Sequence, residues 1–393
     1  MKKYCHLNDL LQISLLAILI LATNNCSMAS SAQRPAACPT SGQALIEAIK
    51  IHEPLTFCGE QVPLKEDDVM ERLERELLIC LDNSDDIIIW LKRANRYLSY
   101  VEKTLLNNSM PDDLKYIVIA ESSLRTHAVS GKGAVGYWQF IESTAAKYGL
   151  TVNKDIDERR NFFLSTQAAL RYLKDLYGIF GSWTLAAAAY NMGEDGLKTE
   201  ILIQGTNNFY QLYLYQETQR YIFRILAIKI ILSNPGKYGY LLTGDDLYKP
   251  LEFTQTTITA NQPVPLSIVA QAAKTHFKAI KELNPQLRNY YLPAGSFTIY
   301  LPRDGAIGFS ERYENLLSAW LKEKKERIYV VQEGDNLALI AGRFNVSVKA
   351  LLLWNGLNNT SKLIPGQKLV VFSEKITPSD YYNGKNSPEN DSH

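Results

Sequence analysis

The chain has 393 residues, 46% of them hydrophobic and 21% charged, with a formal net charge of +1. That length exceeds one ordinary small core, so two or three domains are expected. The near-zero charge argues against a nucleic-acid binder driven by phosphate contacts and leaves only a local basic patch open. The five histidines and five cysteines show no metal-ligand spacing, so neither a metal nor a cofactor is expected.

Residues 1–32 have the pattern of a signal segment. Lys2 and Lys3 precede an apolar run from Leu10 to Ala22, and small residues follow at Ser27, Ala29, Ser30, Ser31 and Ala32. The run is shorter than the ~20 residues that cross a bilayer. Export to the periplasm or cell envelope is therefore expected, with cleavage after Ala29 or Ala32. Cys26 offers a lipidation site, but Thr23-Asn24-Asn25 is a poor lipidation box. Membrane association through the N-terminus, at the outer membrane, stays open. An oxidising compartment would permit Cys38 to pair with Cys58 or Cys80; the simpler alternative is that Cys80 is buried. No cysteine follows Cys80.

Residues 33–63 are rich in Pro, Cys and Gly and predict irregular chain at the start of an N-terminal extension, 33–107. Met70, Leu73, Leu77 and Cys80 recur at helical spacing over 67–81, and Trp90, Leu91, Ala94, Tyr97, Leu98 and Val101 do so over 87–106. Pro111 marks the first turn of the next helix, with Asp112 and Asp113 near its positive end. Further helices are predicted at 142–148, 161–178, 182–191 and 216–233. Strand signals are scarce before residue 240, so 67–240 is expected to be all-α, with 108–240 as the domain that follows the N-terminal extension.

Strand character appears at Phe253–Thr259 and Phe297–Pro302, then at Ile328–Val331 and Lys368–Phe372. Modules are expected at 253–303 and 328–373, joined by a helical connector at 304–327. The polar tail, 374–393, predicts disorder. The modules align at a constant offset of 71: Leu266 with Leu337, Ala270 with Ala341, Lys278-Ala279 with Lys349-Ala350, Asn284 with Asn355, and Gly295 with Gly366. A degenerate internal duplication accounts for this.

One carboxyl stands out. Glu121 lies seven residues from Leu114 and four from Ile117, on the apolar stripe of its helix. Burial disfavours a charged carboxylate and raises its pKa, which suits a general acid. An escape to solvent or a pair with Arg125 is the alternative. Downstream comes Gly131-Lys-Gly133-Ala-Val-Gly136-Tyr-Trp138-Gln139-Phe140. Its glycines allow close backbone approach, and Tyr137 and Trp138 offer flat faces for sugar rings or for the core. Ala186 to Gly193 is a closely packable helix ending in Tyr190-Asn191 and a glycine stop.

Glu121-Ser122, Gly133–Gln139, Ala189-Tyr190-Asn191 and Glu217-Thr218-Gln-Arg-Tyr221 resemble, in order and spacing, the soluble-lytic-transglycosylase domain. Tyr329–Leu337, Asn355 and Ile364-Pro365-Gly366 resemble a LysM module. The combination resembles the membrane-bound lytic murein transglycosylase D family, and Phe57–Leu64 fits it as well. The resemblance implies a mainly α protein: a lysozyme-like all-α catalytic domain followed by small βααβ LysM-like modules. It implies peptidoglycan glycan strands as partner and a monomer as the expected state. Glu121 would protonate the oxygen between N-acetylmuramic acid and N-acetylglucosamine. It would then deprotonate the muramyl 6-hydroxyl, giving a 1,6-anhydro product. Ser130, Gln139, Tyr190, Asn191 and Tyr221 would surround the sugar or the acid, with Glu217 and Ser122 in support. Gly334, Asp335, Leu337, Asn355, Ile364 and Pro365 would form the LysM glycan site. The first module has Pro263-Val264 where the second has Gly334-Asp335, which sets its sugar binding against a spacer role. Two other classes remain. A lysozyme-type hydrolase would need a second carboxylate, from Asp155, Asp157 or Glu217. A non-catalytic glycan-binding scaffold would need none.

Overall fold

A computed structural model describes residues 42–51 and 54–372. The signal segment with Cys5 and Cys26, Cys38, and the C-terminal tail lie outside the described residues. Two compact units emerge, each drawing on two stretches of chain. The first contains residues up to Ser123 plus Leu173–Lys249; the second contains Leu124–Tyr172 plus the chain from Pro250.

The first unit is helical. The predicted helices appear as α2 (Asp67–Asp82) and α3 (Ser84–Asn107), after a short α1 (Gly42–Ile49) and the hairpin β1 (Thr56–Phe57) and β2 (Glu60–Gln61). Both long helices start with aspartates against the positive helix end and bury their apolar stripes. Within the stretch expected to be irregular, 33–63, the described residues thus hold a helix and a hairpin, anchored by the fully buried Phe57. Cys58 and Cys80 are free thiols, and Cys80 is buried.

Pro111 does not open an α-helix. It precedes a 3-10 turn, Asp112–Leu114, and α4 (Lys115–Ser122) follows. The acidic side chains explain the delay. Asp113 Oδ2 accepts from the Cys58 amide at 2.7 Å and from Lys229 Nζ at 2.7 Å, while Lys115 Nζ reaches Asp112 at 2.7 Å. Asp113 ties the turn to the hairpin and to a later helix instead of capping α4, while Asp112 holds the first residue of α4 by its side chain.

After α5 (Glu142–Lys147) and α6 (Phe162–Phe180) come α7 (Trp183–Met192), α8 (Glu194–Gln204) and α9 (Gln216–Ser233). The sequence signals miss α8, because Gly193 looks like a stop; at φ 93° it ends α7 and starts α8 at once. Helix α9 buries most of its length and packs on α2, α4 and α7. The Glu76 carboxylate, 1% exposed, is paired with Arg220 of α9 at 2.5 Å.

The second unit holds the glycine-rich lobe and both modules. The first module runs through β3 (Phe253–Ala260), β4 (Val264–Pro265), α10 (Leu266–Ala272), α11 (Phe277–Leu283), β5 (Tyr291–Leu292) and β6 (Gly295–Pro302). Strands β3 and β6 pair antiparallel from Phe253↔Pro302 to Ala260↔Gly295. The expected connector is α12 (Phe309–Glu326), which buries Phe309 and Tyr313 in this module's core and so belongs to it. The second module has β7 (Ile328–Val330), α13 (Leu337–Arg343), α14 (Val348–Asn355) and β8 (Lys368–Val370), with its own core around Val331, Ile340, Leu351 and Leu369.

The duplication extends to hydrogen bonds. Asn284 Nδ2 donates to Ile280 O and Tyr300 O, and its Oδ1 accepts from Tyr300 N at 2.8 Å. Asn355 repeats the bracket: it donates to Leu351 O and Val370 O and accepts from Val370 N at 2.6 Å. In each copy one amide ties the second helix to the last strand. His276 caps α11 as Ser347 caps α14, and Lys274 and Asn345 share left-handed φ values of 51° and 53°.

Candidate active site

Helix α4 ends at Ser122, and Ser123 and Leu124 follow in the left-handed region at φ 53° and 57°. Two successive non-glycine residues there store strain, a common mark of functional sites. Arg93 Nη1 holds the turn through Ser123 O at 2.7 Å. Ser122 is buried and donates to Val118 O at 3.3 Å, which supports the helix end rather than a reaction.

Glu121 occupies the last turn of α4. Tyr221 of α9 donates its hydroxyl to Glu121 Oε1 at 2.5 Å. Glu121 is partly open to solvent, yet desolvation pushes its pKa up from 4.5 to about 7. The Tyr221 hydrogen bond and the Arg224 charge oppose that rise, and the Glu217 charge adds to it. The result is a carboxyl that holds its proton near neutral pH, oriented through one oxygen. Burial and the Glu121 charge keep the Tyr221 phenol protonated, raising its pKa well above the ordinary range. Glu217, Tyr221 and Arg224 are spaced four and three apart on α9, so one helix face presents all three to the carboxyl.

Tyr190 and Asn191 end α7. Asn191 Oδ1 accepts from Thr218 Oγ1 at 2.9 Å, which fixes the end of α7 on α9. The N-terminus of α7 is fixed as well, by a residue the sequence signals miss. Glu60 of the β2 strand accepts from Trp183 N at 2.5 Å, Thr184 N at 3.1 Å, Ser182 Oγ at 2.8 Å and Thr184 Oγ1 at 2.6 Å. A carboxylate at a helix N-terminus meets free N–H groups and the positive dipole end. No local pattern announces it, because the cap comes from 122 residues away.

Ser130 and Gln139 lie in the second unit. Ser130 Oγ accepts from Ala134 N at 3.1 Å and closes the glycine turn. Gln139 has φ 48°, and its Nε2 donates to Gly136 O at 2.7 Å. Gly136 is required as glycine: a Cβ would sit 2.0 Å from Arg159 O, and φ is +83°. Tyr137 and Trp138 are core residues, not stacking faces. Trp138 is fully buried with Nε1 on Thr166 Oγ1 at 2.9 Å, and Tyr137 meets Phe162 edge-on. Two of the three candidate second carboxylates hold the fold. Asp157 forms a buried pair with Arg159 at 2.8 and 3.0 Å, and Asp155 accepts from Asn289 Nδ2 at 2.6 Å. Glu217, exposed, is the one whose charge reaches Glu121.

In the second module Gly334 turns at φ 83°, and Asp335 is a latch. It accepts from Tyr329 O–H at 2.5 Å and Gln332 N at 2.8 Å and pairs with Arg343. Leu337 opens α13 and packs on the module core, while Ile364 and Pro365 are exposed.

These features define a helical domain with a carboxyl that desolvation keeps protonated near neutral pH, followed by two βααβ modules. Residues 100–212 match the transglycosylase SLT domain, 254–317 match the LysM-like domain of lytic transglycosylase MltD, and 329–372 match the LysM domain. The chain thus carries an SLT-domain match followed by an MltD LysM-like match and a LysM match. It is similar to membrane-bound lytic murein transglycosylase D of Escherichia coli strain K12, at 34% identity over 293 residues, covering 71% of this chain and 64% of that protein. It therefore spans less than two thirds of that relative's length. A shorter likeness, 34% over 110 residues, is to a putative tributyltin chloride resistance protein of Alteromonas sp. strain M-1, covering 27% of this chain and 53% of that one. The 70 kDa soluble lytic transglycosylase of Escherichia coli aligns at 18% identity and a TM-score of 0.32, over 40% of this chain and 28% of that structure.

Proposed function

We propose that the chain is an exported lytic transglycosylase. It cleaves the bond between N-acetylmuramic acid and N-acetylglucosamine in peptidoglycan and leaves 1,6-anhydromuramyl ends. The observation that carries the proposal is the state of Glu121: a carboxyl desolvated to a pKa of about 7 and oriented by Tyr221. A protonated carboxyl at neutral pH can donate to the glycosidic oxygen as the C1–O bond breaks. The carboxylate left behind then accepts the proton of the muramyl 6-hydroxyl, whose oxygen bonds to C1. The proton count at Glu121 is restored and no water is consumed.

A hydrolase would instead need a second carboxylate to activate water. Asp155 and Asp157 are engaged in the fold, which leaves Glu217 for that reading. In the first unit Tyr190, Asn191 and Tyr221 are the candidates for sugar contact; in the glycine-rich lobe of the second unit Ser130 and Gln139 are the candidates. The C-terminal module, with Gly334, Asp335, Leu337, Ile364 and Pro365, retains the enzyme on glycan strands of the periplasmic wall, and Asn355 keeps that module folded.

Digestion of purified peptidoglycan with product masses resolved tests this. Anhydromuramyl ends are expected, and their loss in Glu121→Gln with glycan retention intact. Reducing ends would replace the proposal with hydrolysis. Turnover retained by Glu121→Gln would remove the acid–base role.

A further inference from the structure

The first module departs from the second where a LysM-like module would receive sugar. The loops after its first strand and before its last are stitched together by β4 and β5, with Val264↔Leu292 and Pro265↔Tyr291 paired, and Leu266 N donates to Tyr290 O at 2.9 Å. The second module has no such ladder among the described residues. The same loop of the first module reaches outward to the glycine-rich lobe. Ile156 and Leu287 form an antiparallel bridge, Asp157 N donates to Gln286 O at 2.8 Å, and Arg288 N donates to Asp155 O at 2.9 Å. Asn289 Nδ2 donates to Asp155 Oδ1 at 2.6 Å, and Arg288 Nη1 to Asn153 O at 3.0 Å. Ile156 is itself part of the module's core, and Phe163 packs on Phe253 and Tyr300.

The contacts continue into the lobe. The buried Asp157 carboxylate grips Arg159 through both oxygens. Arg159 Nη1 donates to Gly133 O and Phe140 O, each at 3.2 Å, on either side of Gln139. Gly136 rests against Arg159 O, leaving no space for a Cβ. The path from module to Gln139 is therefore continuous and made of backbone bridges and a buried ion pair, which do not slide easily.

We propose that the first module is a brace: through Asn289, Arg288 and Asp155 it positions the 130–140 loop, and its own sugar groove is closed. Asn289, Arg288 and Asp155 are positioning residues. Their role in turnover rests on the assignment of Gln139 and Ser130 to the sugar; their role in ordering the loop does not.

The test uses the full chain with Asn289→Asp, which sets two carboxylates face to face, and the swap Asp155→Asn/Asn289→Asp, which restores the hydrogen bond. Backbone hydrogen exchange across 128–142 is expected to speed up by about 3- to 10-fold in the single variant, the size of one lost hydrogen bond plus a repulsion, and to return in the swap. The KM for glycan strands should rise and recover in parallel, with kcat and the alkaline limb of the pH profile unmoved. Exchange is read independently of activity, so a chain that proves inactive still tests the brace. Unchanged exchange across 128–142, faster exchange confined to 253–302, or a swap that fails to restore protection would each overturn it.

Discussion

Replacing Glu121 by Gln should raise stability while abolishing turnover, and the gain should depend on pH in one direction. The Glu121 carboxyl titrates near 4.5 in an unfolded chain and near 7 in the folded one. Between those values the native state holds more protons than the unfolded state, so stability falls as pH rises through the window and levels off above it. Below pH 4.5 both states are protonated and the carboxyl imposes no penalty. A shift of that size corresponds to roughly 3 kcal/mol if fully expressed, at about 1.4 kcal/mol per pKa unit. Glu121 is partly open, so about 1–3 kcal/mol is the expected loss after solvent screening. The substituted amide is neutral at every pH and escapes the loss. The melting transition of the Glu121→Gln protein, relative to the parent, should therefore climb by about 2–12 °C from acid to mildly alkaline buffer, at ~2–4 °C per kcal/mol. The measurement is a calorimetric series across the window. A difference that is flat, or that shrinks as pH rises, would show that the carboxyl is not desolvated and would remove the basis for a general acid.

Tyr221→Phe removes the hydrogen bond that opposes the rise in the Glu121 pKa, so the alkaline limb of kcat/KM should move to higher pH, while kcat falls by about tenfold from lost orientation. Gly136→Ala forces a Cβ onto Arg159 O at a positive φ, and a loss of about 3 kcal/mol or more is expected in denaturant unfolding. Asn355→Ala leaves both backbone groups of Val370 without their side-chain partner; about 2–4 kcal/mol should be lost from that module, and glycan retention with it. Asn284→Ala should cost the first module a similar amount without weakening glycan retention by the second, which a pull-down resolves.

The long helices were legible because their apolar stripes repeat over several turns, as Leu73, Leu77 and Cys80 do in α2; Met70, read as the start of that stripe, is half-buried, and Val69 takes the core position. Helix α8 was not, because it buries only Leu197 and begins at the glycine that ends its predecessor. Glu121 was legible as a carboxyl among buried neighbours, Ile117 and Val118. Its partner was legible only through the family resemblance and not from any local pattern: Tyr221 stands 100 residues away, and the packing of α9 on α4 joins them. The aromatic pair Tyr137-Trp138 shows the opposite failure. Their chemistry suits sugar stacking, and nothing local reveals that Thr126 and Thr166 receive their polar ends inside the lobe.

The two modules separate what the βααβ fold needs from what its surface loop needs. Both keep the asparagine bracket, the left-handed residue between the helices and the capped second helix, so those features serve the backbone. The polar latch differs. Tyr329, Asp335 and Arg343 of the second module correspond, at the offset of 71, to Ile258, Val264 and Ala272 of the first. All three replacements are buried, at 3%, 1% and 0% exposure, in a core that also takes in Ile156. An ion-paired Asp335 at the loop demands polar partners beside it, and the Tyr329 hydroxyl, the Gln332 amide and Arg343 supply them, holding its carboxylate below the usual range first through the Tyr329 hydrogen bond and then through the Gln332 amide. An apolar trio has no such demand and favours being covered. The replacement therefore exchanges a hydrogen-bonded polar latch for apolar side chains, which suits a module whose core takes in Ile156 of the lobe.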